Sequence, residues 1–167
     1  IAGPNPVTHP MITTLLLDFS RVLLFPKDAA YKGGLNALHR SLEGTDEYKM
    51  LEHFKLNEEL LSYLEKLKDK VDLYIFTSET IQESPELTPY LQSIFKNIYS
   101  AERLGLSKKD SQSYLQIASQ LNEKPEHIVF VDDTLFNIEK AQQAGLQTIH
   151  YKSNEELFKE LEKLVRI

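Results

Sequence analysis

At 167 residues and 19.3 kDa the chain has the size of one domain, because chains divide mainly beyond about 250 residues. Its 41% hydrophobic and 26% charged residues, with six glycines and seven prolines, exclude disordered and collagen-like classes. The lack of cysteine removes disulfides, thiolate nucleophiles and thiolate metal sites, and a net charge of −6 argues against a nucleic-acid partner held by a general positive field. No apolar run approaches the roughly 20 residues needed to span a bilayer, so no membrane partner is expected and the chain reads as cytoplasmic.

Residues 1–10 (Ile-Ala-Gly-Pro-Asn-Pro-Val-Thr-His-Pro) have neither the basic start nor the apolar core of a signal peptide, and Met11 directly precedes the first strand-like run. They read as a tag remnant or disordered tail, leaving 11–167 as the single domain. Residues 13–17 (Thr-Thr-Leu-Leu-Leu), 71–76 (Val-Asp-Leu-Tyr-Ile-Phe) and 128–131 (Ile-Val-Phe-Val) predict buried strands, and 97–99 and 147–151 predict two weaker ones. Between the first two lies a longer segment, about residues 27–57, with a Gly33-Gly34 break and short helical stretches near 35–42 and 48–54. It predicts a small helical insert over one end of the sheet.

Helix signals then follow in order. Asn57 with Glu58 and Glu59 opens a helix carrying Leu60, Leu61, Leu64 and Leu67. Tyr114, Leu115, Ala118 and Leu121 form a second stripe, ended by Pro125. Ile138, Ala141 and Ala144 form a third, with Gly145 placed as its left-handed terminator. Ser153 and Glu156 make a capping box for a last helix carrying Leu157, Leu161, Leu164 and Val165. Alternating strands and helices at this spacing imply an α/β fold, a doubly wound, Rossmann-like five-stranded parallel sheet.

Ligands of such sheets bind beyond the carboxyl ends of the strands, where strand order reverses. The three strongest strands end in Asp18, in Thr77-Ser78 and in Asp132-Asp133. A single acidic or hydroxyl residue after a strand is usually a turn former or helix cap. Three such ends together are different: converging carboxylates repel one another and are normally retained around a cation, and ligation by oxygen alone suits Mg²⁺.

At these residues the chain resembles the haloacid dehalogenase-like (HAD) hydrolases, a family made up mostly of magnesium-dependent phosphatases, over residues 12–151. The family's first motif, a strand followed by Asp-x-Asp-x-[Thr/Val], is approached by Asp18-Phe19-Ser20-Arg21-Val22. A second strand ends in Thr77. Gly105-Leu106-Ser107-Lys108-Lys109-Asp110-Ser111 resembles the lysine motif, and Asp132-Asp133-Thr134-Leu135-Phe136-Asn137 followed by Ala144-Gly145 resembles the fourth. The resemblance implies Asp18 as a nucleophile that takes a phosphoryl group, with Thr77, Ser78 and Lys108 holding phosphate oxygens. It implies Mg²⁺ at Asp18, Asp133 and the carbonyl of Ser20, with Asp132 in or next to that ligand set and Asn137 orienting it. The implied partner is a small phosphorylated molecule, and the insert at 27–57 corresponds to a reduced cap. Alone, Lys108 reads equally well as a solvated surface lysine.

Ser20 departs from the pattern. Most phosphatases of the family carry an aspartate there as general acid and base, a role serine cannot fill at neutral pH, so the resemblance implies slow or substrate-restricted turnover. The alternative is a catalytically impaired binding or regulatory module on the same fold. A response-regulator receiver domain uses similar residues, but its acidic pair follows the first strand and its lysine comes near the end, the reverse of the order here. A dehalogenase would have no use for an Asp132-Asp133 metal site. The five histidines (9, 39, 53, 127, 150) show no metal spacing and read as structural, and Gly33-Gly34 lacks the remainder of a P-loop. Phe19 and Phe25 are candidates for shaping the pocket.

Overall fold

In the computed structural model, which describes residues 10–166, β1 (Thr14–Leu17) is the middle strand of a five-stranded parallel sheet ordered β5-β4-β1-β6-β7. The other members are β4 (Asp72–Thr77), β5 (Asn97–Ser100), β6 (Ile128–Asp132) and β7 (Gln147–His150). All five predicted strands are present. The proposed tail, apart from Pro10, lies outside the described residues.

Side chains alternate across a strand, so consecutive leucines of β1 serve opposite faces. Leu15 and Leu17 join Ile75, Val129 and Val131 in one core, covered by α2 (Glu58–Leu67) and α7 (Asn154–Val165) through Leu60, Leu64, Leu157 and Leu161. Leu16 joins Phe76 and Phe130 in the other, covered by α5 (Ser111–Gln120) and α6 (Leu135–Gln143) through Tyr114, Ile117, Ile138 and Ala141. Both faces being buried explains why β1 and β6 read as unbroken apolar runs.

The helix ends follow the predicted chemistry. Asn57 Oδ1 accepts from the Leu60 amide and Ser153 Oγ from the Glu156 amide, each at 3.2 Å. Gly145 takes φ 96° after α6, where a left-handed residue lets the Leu146 amide return to the Ala141 carbonyl at 3.1 Å. One stripe is rotated: in α5 the buried positions are Ser113, Tyr114, Ile117 and Ala118, while Leu115 faces solvent. The helix begins at Ser111 behind an Asp110 cap, and the face that meets Phe76 and Phe130 is set by Tyr114.

The segment after β1 is only partly helical. α1 (Leu35–Glu43) matches expectation, but residues 48–54 hold a single 3₁₀ turn at Met50–Glu52. β2 (Leu24–Pro26) and β3 (Phe54–Leu56) pair as an antiparallel ribbon that brackets the segment. Three-residue strands are too short to show a period, and their pairing joins residues about thirty positions apart, so local pattern does not reveal them. Two four-residue helices, α3 (Thr88–Leu91) and α4 (Ala101–Leu104), complete the chain. Among the described residues no helix is long and apolar enough to cross a membrane.

Candidate active site

The parallel register brings the strand ends together. Leu17 pairs with Val131 on one side and with Ile75 on the other, so Asp18 lies level with Asp132 and Thr77 one residue beyond. The Asp18 amide donates to the Val131 carbonyl at 2.8 Å, extending the ladder into the site. The chain then turns sharply, with the amides of Leu23 and Leu24 both donating to the Phe19 carbonyl, at 2.9 and 3.1 Å. That turn leaves Asp18, Ser20 and Arg21 along one wall of a pocket of about 340 Å³, whose other walls include Lys32, Asn36, Thr77, Ser78, Glu79, Lys108, Asp133 and Asn137.

Lys108 is only 4% exposed. Its ammonium lies 2.8 Å from Asp18 Oδ1 and 2.6 Å from Asp132 Oδ2, and it sits over the Phe130 ring. This rules out a solvated lysine. Tyr114 fixes the backbone that carries it, donating to the Lys108 carbonyl at 2.7 Å from within the core. Asp132 is fully buried and its oxygens are occupied: Oδ1 accepts from the Thr134 amide at 2.8 Å, and Oδ2 accepts from Asn137 at 3.2 Å as well as from Lys108. Asp133 faces the pocket, and its backbone carbonyl lies 2.9 Å from His150 Nε2.

Carboxylate oxygens of Asp18, Asp132 and Asp133 all lie within 4.8 Å of one another. Burial, opposed by the Lys108 ammonium and reinforced by Asp132 and Asp133, pushes the Asp18 carboxyl up to about 7. Burial and the Asp132 charge push Asp133 up to about 6. Burial works against the charged form of Lys108, but Asp18 and Asp132 outweigh it and hold its pKa above the ordinary value. Three carboxylates against one ammonium leave an excess of negative charge that a divalent cation with oxygen ligands would offset. The donor set therefore fits Mg²⁺.

The residues named from the sequence for catalysis, phosphate binding and metal binding reach this edge, but their roles in the geometry differ. Thr77 is buried in the pocket wall and Ser78 lines it beside Thr77. Ser20 lines the pocket too, yet its hydroxyl is buried with no hydrogen-bond partner among the described residues. Phe19 is wholly in the core and Phe25 packs near Tyr151, so neither shapes the pocket. Sequence reasoning missed Tyr114, His150 and Asn36, whose side-chain Oδ1 accepts from the Ile81 amide at 2.9 Å and ties α1 to the loop after Thr77. Tyr114 and His150 belong to apolar or strand patterns, and no local signal marks their polar atoms as aimed at the site.

Known proteins similar to this chain share its fold. The family model for haloacid dehalogenase-like hydrolases matches residues 28–151, a span that starts after Asp18. Enolase-phosphatase E1 of Enterobacter sp. (strain 638) is 32% identical over 101 residues, covering 57% of this chain and 43% of that protein. The chain thus spans less than half the length of that relative. Flavin mononucleotide hydrolase 1 of Arabidopsis thaliana is 24% identical over 163 residues, covering 93% of this chain and 63% of the relative. Among solved structures, a HAD-like hydrolase from Porphyromonas gingivalis superposes with a TM-score of 0.68 at 18% identity, covering 95% of this chain and all of that one. A HAD family enzyme from Bacteroides thetaiotaomicron, in complex with magnesium and inorganic phosphate, gives 0.65 at 16% identity, covering 88% and 98%.

Proposed function

The chain belongs to the haloacid dehalogenase-like hydrolase family, and from that membership and its carboxylate edge we propose a Mg²⁺-dependent phosphatase acting through Asp18. The observation that carries this reading is the ion-paired Asp18–Lys108–Asp132 row buried beside the pocket. Asp18, Asp133 and the Ser20 carbonyl would hold the cation, which when bound neutralises phosphate oxygens and the carboxylates facing them. Asp132, saturated by Lys108, Asn137 and the Thr134 amide, holds Lys108 in place and need not touch the metal itself. A HAD family enzyme from Bacteroides thetaiotaomicron has been crystallised with magnesium and inorganic phosphate, which supports magnesium as the cation.

An Asp18 oxygen attacks phosphorus as the bond to the leaving oxygen breaks, giving an aspartyl phosphate. Water then attacks that phosphorus, releasing inorganic phosphate and restoring the carboxylate. Thr77, Ser78 and Lys108 bind the phosphoryl oxygens, and residues 27–57 serve as a reduced cap. The buried, unpartnered Ser20 hydroxyl supplies no proton, so the leaving oxygen takes one from solvent. Turnover then depends steeply on leaving-group pKa: aryl and acyl phosphates are cleaved, and alkyl phosphates hardly at all. Ser20→Asp raises alkyl-phosphate hydrolysis selectively, by up to about 10²- to 10⁴-fold when the carboxyl is well placed.

The test is p-nitrophenyl phosphate hydrolysis with and without Mg²⁺, in the original protein and in Asp18→Asn. Turnover that needs both the metal and Asp18 is expected. Equal turnover by the two proteins would defeat the covalent route, and no turnover alongside Mg²⁺ and phosphate binding by calorimetry would favour the binding-module reading that Ser20 raises.

A further inference from the structure

Arg21 occupies a backbone conformation that disfavours it. Its φ of 62° lies in the left-handed region, which a residue with a long side chain adopts at a penalty of about 1 kcal/mol and which glycine takes freely. Part of the compensation is visible: Nη2 donates to the carbonyls of Tyr31 at 3.2 Å and Gly33 at 2.8 Å, tying the turn after β1 to the loop before α1. A guanidinium has five donors, and among the described residues Nε and Nη1 have no hydrogen-bond partner.

Lys32 also lines the pocket and is exposed, its ammonium bonded among the described residues only to the Ala29 carbonyl at 3.2 Å. Among the described residues neither cation is paired with a carboxylate, whereas Glu79, which also lines the pocket, is taken by Arg40 of α1. The pocket thus has two charged centres: the carboxylate row with Lys108 at its floor, and two unpaired cations at its mouth.

Building on the phosphatase reading, we propose that Arg21 and Lys32 form a second anion subsite on the leaving-group side, so that the substrate is a phosphomonoester bearing a further carboxylate or phosphate. Donors left free on a strained residue are what such a subsite requires, because a planar guanidinium offers a carboxylate or phosphate paired N–H bonds. A pocket of about 340 Å³ suits a small bis-anion whose phosphoryl end reaches Asp18 and whose other end stops at the rim.

Three aryl phosphates test this: 4-carboxyphenyl phosphate, its neutral 4-carbamoyl analogue, and hydroquinone bisphosphate. Protein with both rim cations is expected to prefer the anionic compounds over the carbamoyl one by about tenfold in kcat/KM, the size of a partly exposed charge-assisted contact. The anionic compound that Asp18→Asn binds more tightly in calorimetry, a readout free of leaving-group pKa, identifies the second group as carboxylate or phosphate. The preference should shrink with salt and nearly vanish in Arg21→Gly, which also relieves the φ strain. Should Arg21→Gly loosen the loop, Lys32→Met breaks one backbone contact only and must still lower the preference. Calorimetry on Asp18→Asn reads the same preference without turnover. Equal kcat/KM and equal affinity for the anionic and neutral compounds, or a preference that survives both substitutions, would overturn the subsite. Preferential binding without Asp18-dependent turnover would retain it and remove the phosphatase reading instead.

Discussion

The centre of the sheet and its carboxyl edge are buried alike and held together differently. Leu15, Leu16 and Leu17 are fully buried, and one residue later Asp18 is 6% exposed. The leucines gain from leaving water, about 1.5–3 kcal/mol for each fully buried side chain. Asp18, Lys108 and Asp132 lose hydration and recover it through one another and, at Asp132, through the Thr134 amide and Asn137, with Asp133 adding further negative charge. The apolar centre is where the fold's stability resides. The edge is tolerated by it, an arrangement expected where charge is kept for chemistry rather than for folding.

The largest effect that would sharpen this contrast is the removal of the shared cation. Lys108→Met keeps the length of the side chain and leaves Asp18 and Asp132 buried without their ammonium, at a loss of about 3–5 kcal/mol in urea denaturation. Lowering the pH should recover part of it, because protonated carboxyls no longer repel. A loss below about 1 kcal/mol would mean that the row is far better solvated than its burial indicates. The matching change at the centre is Leu16→Ala, expected to lose about 3 kcal/mol through lost burial and an unfilled cavity, with little dependence on pH or Mg²⁺. If the two variants show the same pH profile, the division between centre and edge fails.

The same contrast governs how much could be read from the sequence. The strands, the leucine stripe of α2 and the caps at Asn57 and Ser153 are local patterns, set by burial on a fixed period and by one side chain meeting one amide, and they stand where expected. Asp18, Asp132 and Asp133 were visible because parallel strands bring their ends to one edge. What escaped depends on contacts between distant residues: the β2–β3 ribbon, the outward turn of Leu115, Tyr114 bonding the Lys108 carbonyl, and His150 beside the Asp133 carbonyl. Lys108 lies between these cases. Its motif named it, but burial alone decides between a surface lysine and the middle of an ion-paired row.

A smaller effect separates buried charge from buried polarity. Asn57 sits away from the pocket, donates to the Val22 carbonyl at 2.9 Å, exchanges hydrogen bonds with Asn154, and caps α2. Its partners are neutral and satisfied, so Asn57→Ala should lose about 1–2 kcal/mol, equally at pH 5 and pH 8 and with or without Mg²⁺. A Mg²⁺-dependent loss would show that the α2 cap is coupled to the site through the turn at Val22.

The smallest expected change has the opposite sign, which makes it the sharpest test of the edge. Burial raises the Asp18 carboxyl to about 7 and Asp133 to about 6, above the value near 4 of an unfolded aspartate. Between those values the folded protein binds more protons than the unfolded chain. The contribution of these groups to stability is therefore complete below about pH 4 and is lost as pH rises through 6 and 7. In chelator-treated protein, Asp18→Asn removes that unfavourable ionisation while Lys108 keeps its partner Asp132. The variant should be more stable at pH 8, by on the order of 1 kcal/mol, and the gap should close as pH falls toward 4. Saturating Mg²⁺ should also close it, because a cation held by the folded carboxylates, as proposed, would stabilise the original protein more than the variant. A variant less stable than the original at pH 8 without metal would mean that the Lys108–Asp18 pair holds the fold together, and the edge would then belong with the core.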